Sequence, residues 1–276
     1  MGGPDTVSGV PHAAAVARAE ELRRLHLDPA ILVLVNVWDA ASARTVASVP
    51  GCRAIATASW AIAAAHGFAD GEAIGRERML EVVGCVAGAV ELPVTADLEG
   101  GYGETPDEVG ETVARAIAAG AVGCNLEDGV SDGALLRDPH DAVARIAAAR
   151  AAADEAGVPI VINARTDVYL RGADDPEAAL LRGQAYARAG ADCIFIPGVT
   201  DADTIKALAA GIDAPIGVLA RPGAPSVSEL QELGVARVSF GPGPMGVALA
   251  ALARTASDLL AGGVPADELS YRPPAA

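Results

Sequence analysis

Short apolar runs alternate with long amphipathic segments along almost the whole chain. The runs are nearly continuous, as in parallel strands that are covered on both faces. This pattern predicts eight strands, at 31–37, 54–58, 93–96, 122–126, 160–164, 193–196, 216–219 and 237–240.

The segments between these strands predict helices. Those at 106–119, 139–156 and 176–189 begin at a proline beside an acidic residue, and a glycine follows each. Both are helix-boundary signals. A further helix is predicted before the first strand, at 13–25, and an apolar last helix at 247–260.

Eight alternating strand and helix units in 276 residues favour a (β/α)8 barrel of the TIM type. A doubly wound open sheet is the alternative. No linker or composition shift divides the chain, so we expect one domain over 1–276, with 1–12 and 262–276 as loosely ordered tails.

Composition excludes several classes of protein. The chain has 36 acidic and 20 basic residues and a net charge of −16, which argues against nucleic-acid binding. The four cysteines form no C-x-x-C pair and are expected to be free and buried. There is no secretory signal and no apolar run long enough to span a membrane, so a cytoplasmic protein without a membrane partner is expected.

Carboxylates follow five consecutive predicted strands, where a barrel carries its chemistry. Clustered carboxylates repel one another and need a cation. Oxygen ligands without His or Cys suit Mg²⁺, or Mn²⁺, better than zinc. The residues at these strand ends are Asp39, Asp70, Asp97, Glu99, Glu127, Asp128 and Asp167.

Arg165 directly follows the fifth predicted strand. Its planar fork of donors suits a substrate carboxylate or phosphonate. The alternative is a structural ion pair within the acidic cluster.

Four motifs, in chain order, resemble the isocitrate lyase / phosphoenolpyruvate mutase superfamily. They are Asn-x-Trp-Asp-Ala-Ala-Ser-Ala, Asp-Leu-Glu-Gly-Gly-Tyr-Gly, Asn-Leu-Glu-Asp and Asn-Ala-Arg-Thr-Asp, and the resemblance covers 13–261. It implies a barrel enzyme that uses Mg²⁺ to stabilise an enolate of a small 2-oxo or 2-hydroxy acid while a C–C or C–P bond is made or broken. It also implies a homotetramer, as a dimer of dimers, that exchanges its last helix between subunits.

The same resemblance implies roles for individual residues. Asp97 is the direct metal ligand, while Glu99, in place of a commoner Asp, joins Asp70 and Glu127 in holding the metal through water. Substrate binding is expected from Asp97, Asn163 and Arg165 and from the loop Ala58-Ser59-Trp60, and catalytic roles from Arg165, Glu127 and Asp70.

The segment 129–138 departs from the family pattern. C–C lyases carry a Cys-bearing lid here, whereas this segment has no Cys, Lys or His and also matches the C–P enzymes poorly. Cys124 is interpreted as packing and Arg137 as exposed, with an inward position as its alternative. Lyase-type C–C cleavage or decarboxylation is favoured. The alternatives are C–P mutase or hydrolase activity on phosphoenolpyruvate or phosphonopyruvate, and a non-catalytic 2-oxo-acid binding protein.

Two further features carry less weight. Residues 241–246 match G-x-G-x-x-G, but no second strand with an acidic residue follows, so a tight turn is predicted instead of a dinucleotide site. Trp60 is expected either to form an apolar wall of the pocket or to pack as an ordinary buried side chain.

Overall fold

The computed structural model describes residues 6–7, 10–130, 135–171, 174–264, 266 and 271. Its strands are β1 (Thr6–Val7), β2 (Val10–Pro11), β3 (Leu32–Leu34), β4 (Asn36–Val37), β5 (Ile55–Thr57), β6 (Val94–Asp97), β7 (Gly123–Glu127), β8 (Val161–Arg165), β9 (Cys193–Phe195), β10 (Ile216–Leu219) and β11 (Arg237–Ser239). Its helices are α1 (His12–His26), α2 (Ala40–Ala47), α3 (Ser59–Ala65), α4 (Arg76–Ala87), α5 (Pro106–Ala118), α6 (Pro139–Ala156), α7 (Pro176–Arg188), α8 (Ala202–Gly211), α9 (Val227–Glu232) and α10 (Gly243–Leu260).

Strands β3 to β11 form one parallel sheet that closes on itself. Strands β3 and β4 are two halves of the first predicted strand, interrupted at Val35. The β3 half pairs with β11 and the β4 half pairs with β5, which joins the two ends of the sheet. The chain is therefore a (β/α)8 barrel, and the open-sheet alternative is excluded.

The helix-start signals in the sequence are realised as caps. In α5 the Thr105 side chain accepts from the Glu108 backbone N–H and the Glu108 side chain reaches back, while Pro106 takes the first helical turn. Such a capping box satisfies backbone donors that the first turn leaves without acceptors. The Asp138 and Asp175 side chains cap α6 and α7 in the same position.

Helix α1 covers the N-terminal end of the barrel. Its Leu22 and Leu25 are fully buried, and a Cβ built on Gly123, at the start of β7, would lie 2.7 Å from Leu22 Cδ2. Glycine at this position therefore lets α1 approach the strands closely. The predicted N-terminal tail 1–12 contains the short antiparallel pair β1–β2 just before this helix.

Two predictions need correction. Helix α10 begins at Gly243, inside the G-x-G-x-x-G segment, so the predicted tight turn is limited to the residues before it; Gly241 there has a φ of 53°. The cysteines are free as predicted, and Cys124 is buried, but Cys85 is exposed because it lies on the outer face of α4.

The outer surface of α10 is apolar. Val247, Leu249, Leu252 and Leu260 are exposed, Leu260 by 89%. The exchange of this helix between subunits and the tetramer stay predictions. None of the helices in the described ranges is long and apolar enough to cross a membrane.

Candidate active site

The loops after the barrel strands enclose two adjoining cavities at the C-terminal mouth. The first, of about 330 Å³, is mostly polar. The second, of about 220 Å³, reaches further towards the barrel interior and includes Asp97 and Asn125. Ser59, Asp70, Arg165 and Leu170 line both cavities. The predicted carboxylates and Arg165 therefore share one concave region.

Asp97, at the end of β6, is held by three donors. Its Oδ2 accepts from the Ser59 N–H at 3.0 Å and from Ser59 Oγ at 2.8 Å. Its Oδ1 accepts from Asn125 Nδ2 at 3.3 Å. Asp97 is 9% exposed, so these donors fix the orientation of a nearly buried carboxylate at the mouth.

Glu99 is buried behind Asp97 in a tight loop. Its carboxylate accepts from the N–H groups of Gly71 and Glu72 and from the hydroxyl of Tyr102. Burial raises the pKa of Glu99 to about 7, and the negative charges of Asp97 and Asp70 act in the same direction. This carboxylate therefore also connects the loop after α3 to the loop after β6.

Arg165 forms two ion pairs at the mouth. Its Nη1 lies 2.6 Å from Glu127 Oε2, and its Nε lies 2.6 Å from Asp167 Oδ1. Burial disfavours the charged guanidinium, but Glu127 and Asp167 more than offset this and raise the pKa of Arg165. Arg165 is thus a structural ion-pair partner, as the alternative interpretation held, and a cavity-lining cation at once.

Negative charge is crowded around Asp97. Burial, followed by the charge of Asp97, raises the pKa of Asp70. Burial also raises the pKa of Glu127, and Arg165 opposes that rise. Asp97 contributes to the raised pKa of Asp70, Glu99 and Glu127 alike, so it is the centre of the cluster.

Two of the backbone N–H groups in the loop 58–60 already donate to acceptors within the protein. The Ala58 N–H donates to the Val37 carbonyl, and the Ser59 N–H donates to Asp97. The predicted contact of this loop with a substrate carboxylate stays a prediction. The Trp60 N–H, in the first turn of α3, is the backbone donor of the loop that would make this contact. The Trp60 ring, 44% exposed, lines the second cavity, in agreement with one of its two interpretations.

Asn163 is not among the residues that line either cavity, and its predicted contact with substrate stays a prediction. It is fully buried, and its Nδ2 donates to Asn125 Oδ1 at 2.7 Å. Asn125, inside the quoted Asn-Leu-Glu-Asp motif, lines the cavity instead. Both side chains belong to neighbouring strands whose residues pair directly, Asn125 with Asn163.

Asp128, 1% exposed, connects the elements around the mouth. Its carboxylate accepts from the Tyr186 hydroxyl at 2.6 Å, from Arg182 Nη1 at 3.1 Å and from the Asp167 N–H at 2.8 Å. The sequence placed Asp128 in the acidic set but gave no sign of its partners, since Arg182 and Tyr186 lie on α7, over 50 residues away, and Asp167 is 39 residues away.

Part of the divergent segment 129–138 is described. Residues 131–134, within the predicted lid, lie outside the described residues. The expected exposure of Arg137 is wrong: its side chain is 16% exposed, and its guanidinium lies 3.7 Å from Asp141. The reason is that its backbone N–H is fixed to the Asp128 carbonyl and its own carbonyl to Arg182.

The carboxylates fit a hard divalent cation, although they do not form a closed cage. Within the described ranges, no three acidic, His or Cys side chains converge as metal ligands. Mg²⁺ keeps several waters and commonly uses one or two carboxylates, so it needs no such cage. The oxygen-only donor set and the crowding of charge around Asp97 agree with such an ion.

The closed barrel, with acidic and arginine side chains at its C-terminal mouth, defines a (β/α)8-barrel enzyme of the kind whose active site lies between the strand ends. The family model described as phosphoenolpyruvate phosphomutase matches residues 22–260. The chain belongs to the phosphoenolpyruvate mutase / isocitrate lyase superfamily.

Individual relatives differ in their named activities. Oxaloacetate decarboxylase of Bradyrhizobium sp. is 31% identical, with 90% of this chain and 87% of that protein covered. A Burkholderia cenocepacia structure provisionally described as a phosphonomutase is 47% identical, with a TM-score of 0.85 and 88% and 98% coverage. The structure of 2,3-dimethylmalate lyase is 28% identical, with a TM-score of 0.81 and 92% and 91% coverage. The chain is accordingly an enzyme of a group that contains lyases and mutases.

Proposed function

We propose that the protein is a Mg²⁺-dependent lyase that cleaves or decarboxylates a small 2-oxo or 2-hydroxy carboxylic acid. The observation that carries the proposal is that Asp97 and Arg165 line the same cavity of about 220 Å³. Binding such an acid requires two groups on the protein: a carboxylate that holds the metal ion and a cation that pairs with the substrate carboxylate.

Arg165 would bind the substrate carboxylate. Its guanidinium has five N–H donors, and Glu127 and Asp167 occupy three of them in the described contacts. The two carboxylates hold the fork in one plane and one orientation, so a ligand meets a preorganised cation. Glu127 and Asp70 face the same mouth and could accept or return a proton there.

Asp97 would hold the metal directly, with Asp70, Glu99 and Glu127 acting through water. When bound, Mg²⁺ would supply charge stabilisation for the enolate oxygen that develops as a bond to the neighbouring carbon breaks. The donors from Ser59 and Asn125 fix the Asp97 carboxylate so that it needs no reorganisation on binding.

The wall of the second cavity favours C–C over C–P chemistry. Among the residues described around it, Arg165 is the single cation, whereas much of the remaining wall is apolar. A carbon substituent fits such a wall better than a phosphonate dianion, which would lose much of its hydration there with Arg165 as its single cationic partner. The apolar lining residues are Trp60, Leu170, Phe195, Pro197, Leu219 and Pro242.

The test compares candidate substrates under one condition. The protein is incubated with Mg²⁺ and either oxaloacetate, 2-methylisocitrate, 2,3-dimethylmalate, phosphonopyruvate or phosphoenolpyruvate, while pyruvate and phosphate release are followed. We expect pyruvate or an equivalent 2-oxo acid from at least one C–C substrate, with loss of turnover in EDTA. Because Mg²⁺ itself promotes oxaloacetate decarboxylation, Asp97→Asn is the matched inactive control, and Asp107→Asn, on the exposed start of α5, is the active one.

Two results would contradict the proposal. Phosphate from phosphonopyruvate without turnover of any C–C substrate would establish the C–P alternative. Calorimetry that shows Mg²⁺-dependent binding of 2-oxo acids without any product would establish the non-catalytic binding protein.

A further inference from the structure

A layer of buried polar side chains crosses the barrel interior beneath the acidic mouth. Arg237 on β11 is 2% exposed, Asn125 on β7 is 8% exposed and Asn163 on β8 is fully buried. Barrel interiors are usually filled by branched apolar residues. A buried guanidinium costs several kcal/mol of desolvation, on the order of the stability of a small domain, so its presence requires a compensating contact.

The contacts of Arg237 are neutral. Its Nη2 donates to Asn125 Oδ1 at 3.1 Å, and its Nη1 lies 3.4 Å from His26 Nε2. His26 Nδ1 donates to the Leu22 carbonyl, which leaves Nε2 as an acceptor, and burial lowers the pKa of His26 to about 3. In the described part of the chain, no Asp or Glu forms an ion pair with Arg237.

Neighbouring groups must determine which way the Asn125 side-chain amide is oriented. Its Oδ1 accepts from Arg237 and Asn163, and its Nδ2 donates to Asp97 Oδ1. The two ends of an amide have nearly the same size, so packing alone does not choose between them. Asn163 does not determine the orientation of the Asn125 amide either. Its own buried Oδ1 has no hydrogen-bond partner, so a rotated Asn163 amide could accept from Asn125 as readily as it now donates.

A guanidinium, in contrast, donates and never accepts. Arg237 therefore forces Asn125 Oδ1 towards itself and Nδ2 towards Asp97. The reversed amide would place its oxygen against the Asp97 carboxylate, which is repulsive and would leave one Asp97 oxygen without its donor. With Ser59 on Oδ2, the Arg237–Asn125 pair anchors the second oxygen of Asp97.

We propose that Arg237 is a positioning residue that acts through Asn125 to orient Asp97 for the divalent cation. This inference rests on the proposed function, in which Asp97 is the direct ligand. Arg237 touches neither cavity and would act from beneath the site.

The experiment measures Mn²⁺ binding to the substrate-free protein by the loss of the free-ion EPR signal, with circular dichroism to confirm folding. Arg237→Met removes the donor at similar length, and Arg237→Lys keeps a donor and a charge. Loss of a hydrogen bond to a charged group should weaken Mn²⁺ binding by about tenfold in Arg237→Met. Arg237→Lys should restore the affinity to within about threefold of wild type, and Arg78→Met, on exposed α4, should leave it unchanged.

The pathway through Asn125 has its own test. Asn125→Leu should weaken Mn²⁺ binding as Arg237→Met does, and the double variant should lose little more, because both changes remove one interaction. If Arg237→Met does not fold, Asn125→Leu and Arg237→Lys carry the test. Equal or tighter Mn²⁺ binding in Arg237→Met, or wild-type affinity in Asn125→Leu, would overturn the inference, since removal of a positive charge alone tightens cation binding. Absence of Mn²⁺ binding in the wild type would instead remove the metal site of the proposed function, and the inference with it.

Discussion

At the scale of single residues, the mouth is defined by groups that lie at the ends of different strands and whose roles depend on their neighbours. Arg165 is paired with two carboxylates and still lines both cavities. His26 lies at the opposite end of the barrel, where burial keeps it neutral.

Arg165→Lys should weaken the Mg²⁺-dependent binding of oxalate, a small dicarboxylate probe, by about tenfold or more. A lysine keeps the charge but not the fork, and it cannot serve Glu127, Asp167 and a ligand in one plane. Isothermal titration calorimetry checks this result. Arg115→Lys, an exposed ion-pair partner of Glu77, is the control and should bind oxalate as wild type does; an unchanged affinity in Arg165→Lys would refute the proposed contact.

His26 should make the folded state less stable in acid. Its pKa is lowered to about 3 from an ordinary 6.5, so between these values the unfolded chain binds a proton that the folded chain does not. The free energy of unfolding should therefore fall as the pH drops below 6.5, by about 2 kcal/mol from this residue between pH 7 and pH 5. Urea denaturation at both pH values measures the change.

The His26→Gln variant should lose that share of the pH dependence. His66→Gln, at an exposed position, should retain it. An identical pH dependence in wild type and His26→Gln would show that other groups cause the acid sensitivity.

At the scale of elements, the mouth is held together by contacts between the ends of strands and the helices that follow. Asp128 connects β7, β8 and α7 through the Asp167 N–H, Arg182 and Tyr186. Arg182 also donates to the Arg137 carbonyl at 3.0 Å, which fixes the end of the segment 129–138.

Asp128→Asn should destabilise the protein by about 3 kcal/mol, because it leaves Arg182 without its buried counter-charge. Thermal unfolding followed by circular dichroism gives the measurement. Asp154→Asn, an exposed position on α6, is the control and should change stability by less than about 0.5 kcal/mol. A loss as small as that of the control would mean that the Tyr186 hydroxyl and backbone contacts hold these elements without the charge.

The sequence predicted the eight barrel strands well because parallel strands buried on both faces leave continuous apolar runs. It did not predict α3, since 54–65 is apolar apart from Thr57 and Ser59 and shows no helical period. It did not predict the break at Val35 either, because the apolar run continues through that position. In the site, strand-end carboxylates were visible as a pattern. The roles of Asn125, Arg182 and Arg237 were not, because their partners lie between 28 and 211 residues away and only the closed sheet brings them together.

At the scale of the whole molecule, the exposed apolar surface of α10 is the feature that predicts a contact with another chain. Five large aliphatic side chains on this helix are exposed, Leu259 included, and contiguous apolar surfaces of this kind usually mark contacts between proteins. The resemblance to the superfamily predicts that a second copy of the chain covers it.

Leu252→Glu should therefore shift the assembly towards smaller species. Light scattering after size exclusion should show wild type near four chains of 27.6 kDa and the variant at a lower mass. Val49→Glu, 57% exposed in the loop after α2, is the control and should keep the wild-type mass. A wild-type protein that elutes as a monomer would contradict the predicted tetramer.

Because acidic groups are crowded at the mouth, the thermal stability of the protein should depend on whether the site holds a cation and a ligand. Folding brings Asp70, Glu99 and Glu127 close to Asp97 and opposes their ionisation, so the empty site works against the folded state. A cation that binds the folded chain, followed by an acid that binds the cation and Arg165, should each raise the melting temperature by mass action. A melting screen with Mg²⁺ and a panel of small acids should therefore rank candidate substrates before any reaction has been assayed.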